Sequence, residues 1–495
     1  ANSGGNLVDY LRGTQTYSTY RSRDSVLGDI INAAPLFVGK PMFNYTENSY
    51  GSFRSGSTRS DVIYAAANDG MLHAIDRATG EEKWAYIPSY VLPKMYKLAD
   101  ENYAGNHMFM VDGSPVMGDI YTATGWKTIL VGGLNAGGRG YYALDVTNPE
   151  TPKLLWEFSE TDLGLTFGNP IITKKADGTW VVMFASGYNN VSPGDGNGYL
   201  YVLNANTGVQ LHKLGTNVSS LPVGSTTTPS GLTMINAYIH SVDDNTTQVV
   251  YGGDLLGNVW RFDINSSVKP YLSAMRLAEL KIGTTPQPIT TRPSLAEVDY
   301  QGGKYQVLFI GTGKYLGPTD LANTNTQTIY ALKDARLETG LGDVRAGTSL
   351  VAQVATASTS STSGSIITGT ANPVNWATKS GWYMDFISGG ERVSVNPHLV
   401  LNTLYVGTNV PSVSACTVGG TSWLYKLDIG TGKAGAVSLG NVLVMGMATV
   451  QLGGNDGAGS VVTIVTRSDG TLQTVTGAQP TIAGVLRRSS WRVLK

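Results

Sequence analysis

The sequence repeats one two-strand unit seven times, and this repetition constrains the fold more than any other feature. In each copy, a run rich in β-branched residues leads into a polar turn that usually carries Gly, and an alternating strand follows. The first copy runs from Val62 through Asn68-Asp69-Gly70 to Asp76. The other copies centre on Gly140, Gly198, Gly257, Thr326, Ser422 and Gly470. Repetition on this scale indicates a repeat architecture.

Further β-type stretches flank most copies. Upstream, several open on a proline, which a strand tolerates at its first residue because proline lacks the ladder N–H. Downstream, residues 82–87, 153–158 and 490–494 predict a fourth strand. Four antiparallel strands repeated about seven times predict an all-β fold, a propeller of about seven blades with loop insertions and one short helix. The proline positions are Ala34-Pro35, Ser114-Pro115, Asn169-Pro170, Arg292-Pro293 and Asn396-Pro397.

The chain is expected to form one domain, a propeller over residues 28–495 preceded by a lead-in segment over 1–27. Residues 90–102 predict the short helix on a connecting loop. Residues 355–371 form a Ser/Thr/Gly tract, for which we expect a mobile insertion without strands. The approximate blades are 28–88, 109–158, 166–215, 232–281, 286–354, 380–436 and 440–495.

Composition excludes several functions. Lys plus Arg number 35 and Asp plus Glu 36, so the net charge gives no reason to expect nucleic-acid binding. The only cysteine, Cys416, excludes an internal disulfide and a zinc cluster of several thiolates. A structural role and an intermolecular disulfide both remain open for it. No apolar run approaches the roughly 20 residues of a membrane span, so no direct span is expected.

Several motifs, in their number and order, resemble the C-terminal domain of the PilY/PilC family of type IV pilus tip-associated adhesins and biogenesis proteins. The resemblance runs along nearly the whole chain. No single motif would be specific, because similar Asp-Gly turns occur in quinoprotein-like propellers. The motifs are residues 10–13, 27–30, 67–74, 109–115, 131–145, 251–263, 311–316 and 490–492.

The resemblance implies a non-enzymatic adhesin and assembly module that supports pilus biogenesis, controls extension and retraction, and attaches cells to a host or abiotic surface. The implied partners are minor pilins at the pilus tip and a surface receptor. The implied location is secreted, on the surface of a Gram-negative bacterium. Two alternatives are a quinoprotein-like propeller dehydrogenase and an outer-membrane assembly scaffold. One cysteine cannot form the vicinal disulfide on which many such dehydrogenases stack their quinone.

The resemblance also implies a possible calcium site, because some family members bind calcium in an Asp/Asn-rich loop before the 251–263 motif. The corresponding residues here are Asp243, Asp244 and Asn245, while Gln248 stands where the last acidic ligand would fall. Calcium takes six to eight oxygen ligands, which Asp and Asn supply. The shortened pattern favours a hairpin turn without an ion. Calcium at these three residues is therefore one of two expectations.

The other candidate motifs favour structural roles. Asp195 and Asn197 lie in a Gly-rich stretch that indicates a tight hairpin, with a metal as the alternative. Asp69 and Asp254 are expected to shape turns. The glycines of 132–140 are followed by a strand, whereas a nucleotide site needs a helix there. No catalytic residue is predicted, since no nucleophile motif appears and the histidines are dispersed; these are His73, His107, His212, His240 and His398.

Overall fold

The computed structural model describes residues 4–218, 223–360, 364–412, 419–451 and 461–476. The chain divides into two compact units. The first comprises Ala1–Thr233 and Asp243–Thr247, and the second comprises Met234–Val242 and Gln248–Lys495. The single domain expected over 28–495 stays a prediction. Among the described residues, no helix combines the length and the apolar content needed to cross a membrane.

The described part of the first unit contains three four-stranded antiparallel sheets. Within each sheet the strands pair in chain order. The turn between the second and third strands of the first sheet is the predicted Asn68-Asp69-Gly70, where Gly70 takes a φ of +94° that favours glycine. The twelve strands are β1 (Leu36–Val38), β2 (Val62–Ala66), β3 (Leu72–Asp76), β4 (Glu82–Tyr86), β5 (Val116–Thr122), β6 (Gly125–Gly133), β7 (Tyr141–Asp145), β8 (Lys153–Phe158), β9 (Ile171–Lys174), β10 (Trp180–Ala185), β11 (Tyr199–Asn204) and β12 (Gln210–Gly215).

Short helices connect and precede these sheets. The predicted helix appears as a 3₁₀ helix, Leu92–Ala99, and a second 3₁₀ turn follows at Tyr103–Gly105. Two α-helices were not predicted, α1 (Gly4–Leu11) in the lead-in segment and α2 (Tyr50–Gly56) between β1 and β2. Both are short and contain two glycines each, so their helix propensity is low.

The second unit begins with a fourth sheet of four strands and continues with a small hairpin and a five-stranded sheet. The five-stranded sheet has the order β19-β20-β21-β25-β22, in which β22 and β25 are parallel. A 3₁₀ turn, Pro318–Asp320, lies in the connection before β21. The strands are β13 (Ile235–Ile239), β14 (Thr247–Gly253), β15 (Asn258–Phe262), β16 (Ala274–Glu279), β17 (Lys281–Ile282), β18 (Thr285–Pro286), β19 (Ser294–Tyr300), β20 (Gly303–Gly311), β21 (Thr328–Lys333), β22 (Leu350–Gln353), β23 (Ala355–Ser360), β24 (Gly364–Gly369) and β25 (Gly381–Asp385).

Two further sheets complete the described part of the second unit. The first has the order β23-β24-β29-β28-β27-β26, and the second has the order β30-β31-β32. The fourth strand predicted at 490–494 for the last blade lies outside the described residues, as does Cys416. The remaining strands are β26 (His398–Val400), β27 (Thr403–Pro411), β28 (Gly420–Asp428), β29 (Ala434–Gly440), β30 (Val444–Gln451), β31 (Val461–Arg467) and β32 (Leu472–Thr476).

The prediction that residues 355–371 lack strands is wrong. Their described residues form the hairpin β23–β24, and β24 pairs with β29 from Ile366 to Thr368. This pairing satisfies backbone hydrogen-bonding groups of β24, and the side chain of Ile367 on that strand is buried. A tract rich in Ser and Thr is therefore ordered by pairing with strand β29, which lies more than sixty residues further along the chain.

The predicted boundary between the fifth and sixth blades is also wrong. The range 286–354 ends before β25, which pairs with β21 and so belongs to the fifth sheet. The range 380–436 assigns that strand to the next blade. The error arose because residues 334–380 separate β21 from β25, whereas the third and fourth strands of the first three sheets are separated by short turns.

Tryptophans link neighbouring sheets within each unit. In the first unit, the indole of Trp84 on β4 donates to the carbonyl oxygen of Pro149, 2.8 Å away, in the turn between β7 and β8. Trp156 on β8 donates in the same way to Ala205, after β11, at 3.0 Å. In the second unit, Trp382 on β25 donates to Ile429, after β28, at 3.0 Å. In each case an indole with a satisfied N–H joins two sheets that follow one another along the chain.

Candidate functional site

The β10–β11 loop of the first unit, residues 186–198, is held by side-chain and backbone hydrogen bonds. Asn189, Ser192 and Pro193 are exposed at its tip, whereas Asn190 is buried. Connecting loops carry function when a rigid scaffold positions them. The described strands β10 and β11 supply that scaffold, because all six residues of β10 and five of the six in β11 are buried.

Arg139 holds this loop from the neighbouring sheet. Its guanidinium donates to three loop carbonyl oxygens, those of Asn189 at 2.7 Å, Val191 at 2.9 Å and Pro193 at 2.8 Å. Arg139 lies in the Gly-rich stretch that superficially suggests a phosphate loop. Strand β7 follows that stretch directly, as the sequence predicted. The arginine therefore serves a protein loop, and its planar fork suits several fixed acceptors at once.

Two glycines make the loop possible. Gly194 has a φ of +115° and lies so close to Asn190 that a Cβ would fall 2.2 Å from its carbonyl oxygen. Gly196 has a φ of +80°, and a Cβ there would lie 2.0 Å from the carbonyl oxygen of Ser225. Only glycine avoids both the backbone strain and the clash. The Gly-rich motif thus forms a tight turn, which was the favoured interpretation.

An acidic cluster lies beneath the loop and surrounds Lys213 of β12. The ammonium contacts Glu160 at 2.9 Å and Asp162 at 2.6 Å. Asp195 accepts the hydroxyl proton of Tyr199 at 2.6 Å, and the backbone N–H of Asp195 donates to Asp162 at 3.2 Å. Two carboxylates therefore pair with a single lysine, and the third residue, Asp195, joins them through its backbone N–H, so the cluster carries net negative charge.

Glu160 and Asp195 each have a lowered pKa, so both stay ionised at neutral pH. Burial alone would raise the pKa of Glu160, but hydrogen bonds from Tyr201 and Lys213 outweigh it and lower that pKa. Burial alone would likewise raise the pKa of Asp195, but hydrogen bonds from Tyr199 and Asn197 outweigh it and lower that pKa. The pKa of Lys213 is raised by its acidic partners despite burial. Opposite charges and hydrogen bonds to the charged form account for all three directions.

A metal does not fit the Asp195 motif. Both carboxylate oxygens of Asp195 are used, one by the Asn197 backbone and the other by the Asn197 amide and Tyr199. Lys213 already supplies the positive charge between the other two carboxylates. Within the described residues, no group of three or more His, Cys, Asp or Glu side chains is arranged to hold a metal ion.

The predicted calcium residues Asp244 and Asn245 contact protein groups in the structure. Asn245 is buried with a φ of +53°, and its amide nitrogen donates to Tyr45 at 3.2 Å and to the carbonyl oxygen of Ile172 at 3.3 Å. Asp244 accepts the backbone N–H of Thr246 at 2.8 Å, which is an Asx turn. Calcium takes six to eight oxygen ligands, and its binding at these residues stays a prediction.

Gln248, where the last acidic ligand would fall, belongs to the second unit and is engaged there. Its amide oxygen accepts a hydrogen bond from the guanidinium of Arg336, and its amide nitrogen lies 3.2 Å from Nδ1 of His240. Arg336 also donates to Gln306 at 2.9 Å. A cationic side chain therefore occupies the neighbourhood of this position.

The predicted turn formers are confirmed in that role. Asp254 accepts the backbone N–H groups of Leu256 and Asn258 at 3.0 and 2.8 Å and the indole N–H of Trp260 at 2.8 Å. Its burial raises its pKa to about 6, against the effect of these donors. Asp69 accepts the backbone N–H of Met71 at 3.1 Å. Both carboxylates fix turn backbone, and each also contacts a side chain, Trp260 in the case of Asp254 and His73 in the case of Asp69.

The sequence did not single out Arg139 as a loop anchor, nor Glu160, Asp162 and Lys213 as one cluster. Residues 160 and 213 lie 53 positions apart and share no motif. The one available signal was Asp195 in its Gly-rich stretch. Sequence pattern alone could locate the loop but could not locate the side chains that fix it.

The antiparallel sheets define an all-β protein of the β-propeller class, which confirms the predicted fold. The sequence profile described as the PilY1 beta-propeller domain matches residues 27–365, more than half of the chain. The chain belongs to the PilY1 β-propeller family, as the resemblance implied. The family assignment concerns this module and not the full length of its relatives.

Curated relatives and a solved structure agree with this assignment. The chain is 33% identical over 492 residues to the type IV pilus biogenesis factor PilY1 of Pseudomonas aeruginosa, covering 87% of this chain and 41% of that protein. It is 32% identical over 544 residues to a PilY1 homolog of Xylella fastidiosa, covering 99% of this chain and 41% of that protein. The crystal structure of the Pseudomonas aeruginosa PilY1 C-terminal domain matches with a TM-score of 0.69 at 26% identity, covering 89% of this chain and 99% of that domain. The chain therefore spans about two fifths of these curated relatives.

Proposed function

We propose that this chain is a non-catalytic module of a type IV pilus machinery, in which loops held at the ends of rigid sheets contact partner proteins. Its role is to support pilus biogenesis, to influence extension and retraction, and to attach the cell to a host or abiotic surface. Its partners are minor pilins at the pilus tip and a surface receptor. It acts outside the cell, on the surface of a Gram-negative bacterium.

The observation that carries this proposal is the β10–β11 loop. One arginine holds three backbone carbonyl oxygens, and two glycines pack against backbone, so the exposed tip is fixed in place. A loop ordered before binding loses little conformational entropy when a partner docks, which favours affinity. Relatives named as type IV pilus biogenesis factors support the pilus as the setting.

The test uses the full-length protein in the bacterium that encodes it. Deletion of the region encoding this chain is expected to reduce surface pili, measured after shearing, and twitching motility. Arg139→Met removes the hydrogen bonds to the loop but keeps an apolar side chain of similar length. It is expected to reduce surface pili and twitching motility while the protein is still made. Attachment is scored per pilus, so that a defect in adhesion separates from one in biogenesis.

The matched control is Arg77→Met. Arg77 is an exposed arginine of the same unit that pairs with Asp61 at 3.1 Å and lies 5.5 Å from the centre of the Phe37 ring, so its loss leaves the loop untouched. Wild-type piliation and attachment after deletion of the module would overturn the pilus function. Wild-type behaviour of Arg139→Met alongside a defective deletion would overturn the role of the loop alone.

A further inference from the structure

We propose that residues 243–247 are a metal-independent latch, in which Asn245 fastens the segment around Tyr45 to strand β9, so that this module keeps its loop conformation without calcium. The resemblance of this chain to propellers of which some bind calcium gives an ion at this loop as one of two expectations. The structure instead assigns the same residues to protein contacts within the first unit. Asn245 is the positioning residue of the latch.

The side chain of Asn245 joins two separate segments. Its amide nitrogen donates to the Tyr45 hydroxyl at 3.2 Å and to the Ile172 carbonyl oxygen at 3.3 Å. Tyr45 is itself buried, and its ring stacks on Trp126 with centroids 5.6 Å apart. The amide therefore reaches into an aromatic cluster, where an unsatisfied donor or acceptor would be costly.

The backbone of Asn245 makes the second half of the latch. Its carbonyl oxygen accepts the backbone N–H of Lys174 at 3.0 Å and the hydroxyl of Thr173 at 2.7 Å. Thr173 also lies 2.8 Å from the hydroxyl of Thr247. The φ of +53° is a conformation that Asn adopts more readily than most residues. The residue type thus matches both the backbone conformation and the two donor contacts.

An ion pair between Lys174 and Glu47 lies next to this loop. The ammonium of Lys174 is mostly buried and lies 2.7 Å from Glu47, two residues after Tyr45. The backbone N–H of Thr46 donates to the carbonyl oxygen of Asp243 at 3.2 Å. Segment 45–47 is therefore tied to the 243–247 loop and to β9 by hydrogen bonds and one ion pair. Lys174 takes part in both links, with its ammonium at Glu47 and its backbone N–H at Asn245.

Gln248, at the other end of the predicted set of calcium ligands, is also engaged by a protein group. Gln248 accepts a hydrogen bond from Arg336 within the second unit. A carboxylate introduced at position 248 would form an ion pair with the Arg336 guanidinium and would not be available to a metal, because opposite charges at hydrogen-bond distance pair strongly. The single change that restores the pattern at this position would therefore not restore a calcium ligand.

The experiment is thermal unfolding of the whole chain in millimolar calcium and in chelator, with calorimetric titration of calcium alone. The parent is expected to unfold at the same midpoint in both solutions and to show no saturable binding. Asn245→Ala is expected to lower the midpoint by several degrees, and calcium is not expected to restore it. A ligand that binds only the folded state would raise the midpoint by mass action.

Asp244→Asn is the matched control. It keeps an oxygen for the turn to Thr246 but removes a carboxylate, so the latch predicts an unchanged midpoint whereas a calcium site predicts weaker binding. If Asn245→Ala does not fold, Tyr45→Phe removes only the hydroxyl and is expected to give a smaller loss. Saturable calcium binding by the parent that Asp244→Asn weakens would overturn the proposal. An unchanged midpoint in both Asn245→Ala and Tyr45→Phe would overturn it too.

Discussion

Arg261 and Asp334 form an ion pair in which both side chains are only 2% exposed and Nη1 lies 2.8 Å from Oδ1. The remaining hydrogen-bonding capacity of the pair is also used. Asp334 accepts the Tyr251 hydroxyl at 2.7 Å, and Arg261 donates to the carbonyl oxygens of Lys269 and Leu337, both at 2.7 Å. A buried pair with this geometry is costly to break because either partner alone would be an uncompensated buried charge.

Asp334→Ala is therefore expected to destabilise the second unit by about 3–5 kcal/mol. The measurement is the free energy of unfolding from urea denaturation of the parent and the variant. Lys304→Ala is the control, because Lys304 pairs with Glu297 on an exposed surface and its loss should not be measurable. Similar losses for both variants would contradict the special role of the buried pair.

His73 makes stability depend on pH. Its ring lies between Asp69, 3.1 Å from Nε2, and Glu82, 2.5 Å from Nδ1. Burial alone would lower the pKa of His73, but the two carboxylates outweigh it and raise that pKa above its ordinary value. The stabilisation is therefore fully present below about pH 6.5, the ordinary pKa, and is lost as the pH rises through the folded-state pKa.

The expected result is a difference in unfolding midpoint between parent and His73→Gln that is largest in mild acid and shrinks as the pH rises. Thermal unfolding across the range from pH 5 to pH 9 measures it. Glu82→Gln serves as the control, since it removes one carboxylate and should move the loss of stability to lower pH. A difference that stays constant with pH would show that the His73 charge contributes nothing.

Gly137 is required by close packing and not by backbone conformation. A Cβ at this position would lie 1.7 Å from the carbonyl oxygen of Met110, and its φ is not in the region that favours glycine. Gly137→Ala is therefore expected to shift backbone and to cost about 1–3 kcal/mol of unfolding free energy. Gly51→Ala in helix α2 meets nothing within 4 Å and should be neutral or stabilising by about 0.5–1 kcal/mol. If urea denaturation gave the same change in unfolding free energy for Gly137→Ala and Gly51→Ala, the proposed clash at Gly137 would be refuted.

The sequence predicted the strands well because their signals are local. Alternating runs and Gly turns such as Asn68-Asp69-Gly70 specify a strand pair within a few residues. Pairings across long insertions carry no such signal. Strand β25 returns to β21 after 47 intervening residues, so its assignment to the fifth sheet could not be made from pattern alone.

The functional side chains were hardest to predict for the same reason. Asn245 contacts Tyr45 across 200 positions, and Arg139 contacts the β10–β11 loop across about 50. The residue types of Asp243, Asp244 and Asn245 suit a metal site and a turn equally well. Only the direction of the Asn245 amide, which the fold determines, separates the two interpretations of that run.

The hairpin β23–β24 gives a direct test of an ordered tract against a mobile one. Ile367 is 1% exposed, pairs with Ala436 of β29 and packs in a cluster that includes Trp376. Ile367→Ala is expected to cost about 2–5 kcal/mol, because it removes buried methyl groups and leaves a cavity. Thr368→Ala, at the adjacent exposed position, should change the free energy of unfolding little. If urea denaturation showed no loss for Ile367→Ala, the tract would be detached from β29, as its composition had suggested.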